Sequence, residues 1–398
     1  MSKYTNAIQR LKVESWIKYW LSKRQKSSYE LSEILTGTEF YLQDSAPKKF
    51  KKFIPIGRTT QESDPTPENP VPIKNTGDNG FVNEKIENKN FLTNLEASVN
   101  TTVTNGIVSQ ISADTRTNLA WKLQTYNGTT KVEELPLITK NTTGIFSRTF
   151  TKNSTFNRIR FGVNGAQRDT LVISDVSDLA DGEYTLSYNI TNVTQGSISW
   201  QDVMITKVTE TDLSYVPHSE QNISFPLAQG QKLYEGSYPG DDEKVHHKMK
   251  EVVFDGSDDE GWADYGSSQR FYASLADFTG PDNNIKPNIL CDKLKAVKRN
   301  DAGGSVDNYI SSVSANTHYI MIRINSEIDT VAKLKAFLQE NPIKVQYELT
   351  EEQTENFTEE QKEAWEEWKK ARTYKNITHI SSEDETPANL RIQYYKEG

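Results

Sequence analysis

The sequence predicts a mainly β protein: two units of β-sandwich or jelly-roll type, with a helix near the N-terminus and an amphipathic helix near the C-terminus. Three observations carry that reading. Apolar residues alternate over short runs, as Ile159, Phe161 and Val163 do in RIRFGV, so every second side chain meets one face. Turn signals such as Thr194-Gln195-Gly196 punctuate those runs, in a chain rich in Asn, Thr and Ser. Helical periodicity is confined to a few short segments.

Residues 1–60 form a basic N-terminal helix and attachment segment. Val13, Trp16, Ile17, Trp20 and Leu21 share one helical face, with Glu14, Ser15, Lys18 and Ser22 opposite. The segment holds twelve basic and five acidic side chains in a chain whose formal net charge is -9. Such a basic, apolar-faced helix suits attachment to an acidic neighbour, packing against its own body or a sister subunit, or lying on a membrane surface, where Lys and Trp fit the interface. It is too short to cross a bilayer.

Residues 61–90 open with QESDPTPENPVPIKNTGDN, where Pro65, Pro67, Pro70 and Pro72 remove backbone donors and hold their predecessors extended. This strip is expected to be an ordered, stiff extended connector or an edge, and a boundary. Residues 91–217 read as the first sandwich. GEYTLSYNIT alternates Tyr184, Leu186, Tyr188 and Ile190, and SISWQDVMITKV follows after a turn. Residues 218–350 read as a second β-rich domain, with Ile320, Ile322 and Ile324 on one face of HYIMIRI and a short helix through Val331, Leu334, Phe337 and Leu338. Residues 351–398 hold the C-terminal helix and terminal strands. Thr358 and Gln361 predict a capping box, and Phe357, Ala364, Trp365, Trp368 and Ala371 share a face expected to pack on the second sandwich.

The chemistry-bearing residues point away from catalysis. There is no Gly-x-Ser-x-Gly elbow, phosphate loop, dinucleotide fingerprint or His-Glu-x-x-His helix, and no enzyme is expected. Cys291 is the single cysteine and sits on an alternating apolar run, which predicts a buried strand residue. His246 and His247 are adjacent; in extended chain they face opposite ways and are expected in a turn without a shared metal. No cofactor is expected, although Asp175, Asp178 and Asp181 in one loop and Asp255, Asp258, Asp259 and Glu260 in another offer oxygen ligands for a structural calcium. The acidic balance argues against nucleic acid as a partner, and no secretion signal or membrane span is expected.

The aromatics of residues 91–217 are the candidate binding residues: Trp121, Tyr126, Tyr184, Tyr188 and Trp200. They lie among Asn, Gln, Arg and Thr, the mixture that meets a sugar's apolar face and hydroxyl edge. The same rings could fill a sandwich core. Trp121 and Tyr126 are preferred, because NLAWKLQTYNGTT is polar and turn-rich whereas GEYTLSYNIT alternates as a half-buried strand does.

The proline strip, YVPHSEQNISFPLAQGQKLYEGSYPGDDEKVHH (215–247) and VQYELTEEQTENFTEEQKEAWEEWKKARTYKNITHISS (345–382) together resemble tail and baseplate-associated proteins of bacteriophages infecting Gram-positive bacteria. DGEYTLSYNITNVTQGSISWQDVMITK (181–207) is similar to the end of carbohydrate-binding modules that such proteins carry as exchangeable insertions. The resemblance implies a non-enzymatic virion component of tail, baseplate or fibre that aids host adsorption. Its implied partners are other virion proteins, sister copies (a trimer is guessed) and bacterial cell-surface polysaccharide. A connector that carries another receptor-binding protein and a virion-associated glycan depolymerase remain as alternatives.

Overall fold

The computed structural model describes residues 29–396, except 37–38, 45–46, 98–100, 105–106, 111–119, 137–142, 165–168, 195–196, 267–268, 303–305 and 383–388. Val13, Trp16, Ile17, Trp20 and Leu21, the expected attachment face, lie outside the described residues.

The described chain is mainly β, with several sheets and two α-helices. Its two ends fold together. Strand Asn376–Ser382 lies between Glu39–Asp44 and Phe81–Asn88, and Glu220–Pro226 pairs on the other side of Phe81–Asn88. Asn389–Lys396 lies between Tyr29–Thr36 and Phe50–Ile56. Val82, Ile86, Phe225, Phe53, Trp365 and Trp368 belong to the core of this base. The two terminal strands expected from the sequence are present, and each finds its neighbours in the first 90 residues.

The helix Glu359–Trp368 starts where the sequence places it. Thr358 Oγ1 accepts from Gln361 N at 3.2 Å and Gln361 Oε1 accepts from Thr358 N at 3.0 Å, which completes the capping box. Its partners match the expectation in part, since Phe225 lies within residues 218–350 but Phe53 does not. Trp368 stacks on Phe53 at 5.4 Å and Trp365 meets Phe225 edge-on at 5.9 Å, so the helix packs on the base and not on the second β unit's core. The reason is pairing. Strand Glu220–Pro226 neighbours the second unit in sequence, but its hydrogen bonds go to Phe81–Asn88.

The proline strip is ordered and held at both its ends and its middle. Thr59–Thr60 pairs with Lys74–Asn75, so the chain doubles back and does not run on as a rod. Val71 N donates to Asp292 O at 2.8 Å, Gln61 Nε2 to Cys291 O at 2.8 Å, and Lys295 reaches Asp64 at 2.6 Å. Outside that short ladder the strip hydrogen-bonds to the second unit's surface. The segment that follows it, Phe81–Asn88, is an interior strand of the base sheet.

The second unit, Tyr238 to Asn356, has a four-stranded sheet and a five-stranded sheet around one core that includes Phe254, Phe271, Ile320, Ile322, Val345 and Tyr347. The helix Val331–Glu340 lies within it, and buried Leu334 and Leu338 join that core. Cys291 is buried in strand Ile289–Cys291, as alternation predicts. His246 and His247 lie within strand Lys244–Phe254 and not in a turn. His246 stacks on Tyr238 at 4.7 Å, while His247 is buried. Among the described residues no helix is long and apolar enough to cross a membrane.

Candidate functional site

The module formed by residues 91–217 leaves and rejoins the base through neighbouring strands. Glu87 pairs with Glu220, and Asn88 N donates to Ser219 O at 3.0 Å. Beyond that pair the two crossings are stitched together. Asn88 Nδ2 donates to Pro217 O (2.6 Å), Asn90 Nδ2 to Val216 O (2.8 Å) and His218 Nδ1 lies 2.7 Å from Asn90 O. Lys89 is 1% exposed, and its ammonium reaches the Asp212 carboxylate at 3.1 Å and the Asp212 carbonyl at 2.6 Å. A buried ammonium held by one carboxylate and one carbonyl fixes the direction in which the module leaves the base.

Two five-stranded sheets build the module around one core. Tyr184, Tyr188 and Trp200, three of the aromatics considered for sugar contact, belong to that core, and none is more than 1% exposed. Alternation on the long strands Gly182–Thr194 and Ser197–Lys207 turns these rings toward the opposite sheet. Trp200 meets Phe161 of that sheet at 5.3 Å and Tyr188 of its own sheet at 6.2 Å. They offer no ring face to a ligand. Burial pushes the Tyr188 phenol's pKa well up, while Tyr184 Oη donates to Ala180 O at 2.9 Å.

The strand Ala120–Asn127 carries the other two candidates. Trp121 pairs in register with Val163; its side chain is outside the described residues. Tyr126 is half-buried. Leu123 points into the core, so by alternation Lys122, Gln124 and Tyr126 occupy the sheet's outer face. Register places Arg160 opposite Gln124, Arg158 opposite Tyr126, and Glu134 opposite Gln124 on the other side.

A polar relay joins these groups. Tyr126 Oη donates to Gln124 Oε1 at 3.0 Å, and Gln124 Nε2 donates to Glu134 Oε2 at 2.7 Å. Lys131 and Lys122 approach the same carboxylate at 3.2 and 3.7 Å. Hydrogen bonds from Gln124 and Lys131 hold Glu134 below the usual carboxylate pKa. Gln124 is buried with both ends of its amide engaged, so it orients Tyr126, whose ring, with the two guanidiniums placed on the same face, can meet a sugar's C–H groups and hydroxyls. Sequence reasoning chose Tyr126 and missed Gln124, Glu134 and Arg160. The signal present was the alternation K-L-Q-T-Y, whose polar half is unusual for a strand so well buried.

A cleft of about 740 Å³ lies where the module meets the base, lined by residues that include Lys85, Glu87, Asp175, Glu220 and His379. Glu87, His218 and Glu220 bring their ligand atoms within 4.8 Å of one another. The Lys85 ammonium is already there, 2.9 Å from Glu87 and 3.1 Å from Glu220. Burial pushes the Glu87 pKa up, but hydrogen bonds from His379 and Lys85 outweigh it and hold the net value below normal. The cluster is a paired structural network in which lysine supplies the cation.

The two acidic loops considered for calcium use carboxylates internally. Asp175 accepts from Ser177 N and Oγ at 2.8 and 2.6 Å. Glu260 accepts from the Asp255 and Gly256 amides and, at 2.7 Å, from Trp262 Nε1, while Asp258 pairs with Lys335 at 2.8 Å.

No protein-family model, curated protein or solved structure matches this chain.

Proposed function

We propose that this chain is a non-enzymatic structural component of a bacteriophage particle, in its tail, baseplate or fibre, that contributes to host-surface recognition by binding cell-surface polysaccharide. In this reading the 91–217 module is a carbohydrate-binding module of jelly-roll type, and the second unit is likewise a β-sandwich. The base assembled from both chain ends is the platform that other virion proteins or sister copies engage. The observation that carries the reading is the module's placement. It is inserted between two paired strands, braced by buried Lys89, and bears the Tyr126–Gln124–Glu134 relay on an outer sheet face. Rigid insertion suits a domain that must present a surface away from an assembly, and many copies make weak individual contacts sufficient through avidity.

Burial of Tyr184, Tyr188 and Trp200 favours a second reading, in which the chain is a connector that carries another receptor-binding protein. The two readings separate in one experiment. The full chain is titrated with wall polysaccharide of the bacterium the phage infects, and the titration is repeated with Tyr126→Ala and Gln124→Ala. Recognition through this face predicts weak binding, in the ~mM range for a single site, reduced by both substitutions. Absence of any binding selects the connector, and binding indifferent to both substitutions removes this face from the reading.

A further inference from the structure

The second β unit carries a groove that the module's chemistry does not explain. Its five-stranded sheet sends Phe271, Ala273, Ile320 and Ile322 into the unit's core. Alternation therefore places Tyr272, Tyr319 and Met321 on the opposite face. Part of that face is closed by a small cluster of Ala302, Tyr309 and Met321, with Tyr265 and Val313 packed against it. Beside this cluster the surface sinks into a groove of about 760 Å³, lined by Asp264, Tyr265, Arg270, Tyr272, Thr317 and Tyr319 among others. That volume is within the range of small-molecule sites.

The three tyrosines are held in fixed relation. Tyr272 stands nearly perpendicular to both neighbours, 6.2 Å from Tyr265 at 87° and 5.4 Å from Tyr319 at 90°. Tyr265 is braced by two cations. The guanidiniums of Arg270 and Arg299 lie 5.2 and 5.5 Å from its ring centre, and Arg299 donates to its Oη at 3.2 Å. Both arginines are themselves anchored to backbone, Arg299 Nε to Val313 O at 2.6 Å and Arg270 to Ala302 O at 3.3 Å. Of the three rings, Tyr265 is the one with two cations against it. Tyr319 nevertheless remains 40% exposed at the groove's edge.

We infer that this groove is a second saccharide-binding site, specific for an uncharged, hydroxyl-rich pyranose segment. The lining carries one acidic and one basic side chain, Asp264 and Arg270, which balance, so the groove offers its ligand ring faces and hydroxyl partners more than net charge. Tyrosine suits that task, since it gives a rigid apolar surface with a hydrogen-bonding tip and loses few rotamers on binding. A sugar stacked on Tyr319 would lay its C–H face on the ring and direct its hydroxyls toward Thr317, Asp264 and the phenols. The inference shares only its ligand class with the proposed function, because the groove lies on a different unit from the Tyr126 face.

The test uses the full chain with carbon-13 in its tyrosine rings, titrated with cellotetraose, maltotetraose and the N-acetylglucosamine tetramer. Tyr126, Tyr272 and Tyr319 are assigned by single Tyr→Phe variants. Saturable shifts at Tyr272 and Tyr319 with at least one probe are expected. Tyr319→Ala should weaken that response about tenfold, or about 1.4 kcal/mol, and Gln124→Ala should leave it unchanged. Tyr319→Leu keeps apolar bulk without the ring and should weaken it too, which separates stacking from a folding defect. Shifts confined to Tyr126 would overturn this inference and leave the proposed function standing. Shifts at Tyr319 without any at Tyr126 would support this inference independently of the Tyr126 face. No response at Tyr272 or Tyr319 to any of the three probes at ~10 mM, where a site of ~1 mM affinity is nearly full, or a response indifferent to Tyr319→Ala, would also overturn it.

Discussion

Replacing Trp368 by alanine tests the architecture of the base most directly. The side chain is 1% exposed, lies between Phe53 at 5.4 Å and Trp365 at 6.1 Å, and donates its Nε1 proton to the Phe53 carbonyl at 2.5 Å. Truncating a buried tryptophan costs about 3–5 kcal/mol through lost burial and the cavity left behind. The substitution also removes the Phe53 carbonyl's indole donor, and an unsatisfied buried acceptor adds roughly 1–3 kcal/mol. Allowing for overlap, about 4–6 kcal/mol is expected. Trp368→Phe keeps much of the ring contact and loses the donor, so about 2 kcal/mol isolates the hydrogen bond.

A chain of several units need not unfold in one step, so the assay is native-state hydrogen exchange read strand by strand. Protection should fall in Phe50–Ile56, Phe81–Asn88 and Glu220–Pro226, and stay nearly unchanged in Tyr319–Arg323 of the second unit. A loss under about 1.5 kcal/mol in the base strands, or an equal loss in Tyr319–Arg323, would refute the assignment of this helix to the base.

Two further outcomes follow from the junction and the lone thiol. Hydrogen bonds from Ser214, joined by Lys89, hold the Asp212 pKa down at about 2. A depressed carboxylate stabilises the folded form above its ordinary pKa and loses that contribution as pH falls through the folded value. Protection of the junction amides should therefore hold at pH 5 and decline from about pH 4 to pH 2, and Lys89→Met should weaken it already at neutral pH; a flat profile across that window would contradict the bracing role. Burial pushes the Cys291 thiol pKa up to about 12, so a thiol reagent at about pH 8 should label the native chain only at the rate of local opening, and fast stoichiometric labelling would show that strand to be open.

The sequence by itself determined what depends on near neighbours. Alternation at Ile159 and Phe161 and at Ile320 and Ile322 named strands and their buried faces, because a period of two fixes which side chains point together. Thr358 and Gln361 located a helix start, since both partners of the capping box lie within one turn. Cys291 was legible as core for the same local reason. Tertiary structure alone decided the partners. The stripe of Trp365 and Trp368 required some apolar surface, but Phe53 lies 315 residues from Trp368 and is brought there by strand pairing that no local pattern encodes. Nor could composition tell whether an aromatic on an alternating strand faces a second sheet or the outside. Trp200 meets Phe161 of the opposing sheet and packs on Tyr188, and both become core, whereas Tyr126, on the other face of its strand, meets Gln124 and remains half in water. The Tyr265–Tyr272–Tyr319 groove was illegible for the same reason, since its rings come from three separate segments that only sheet register and the packing of Tyr265 set side by side.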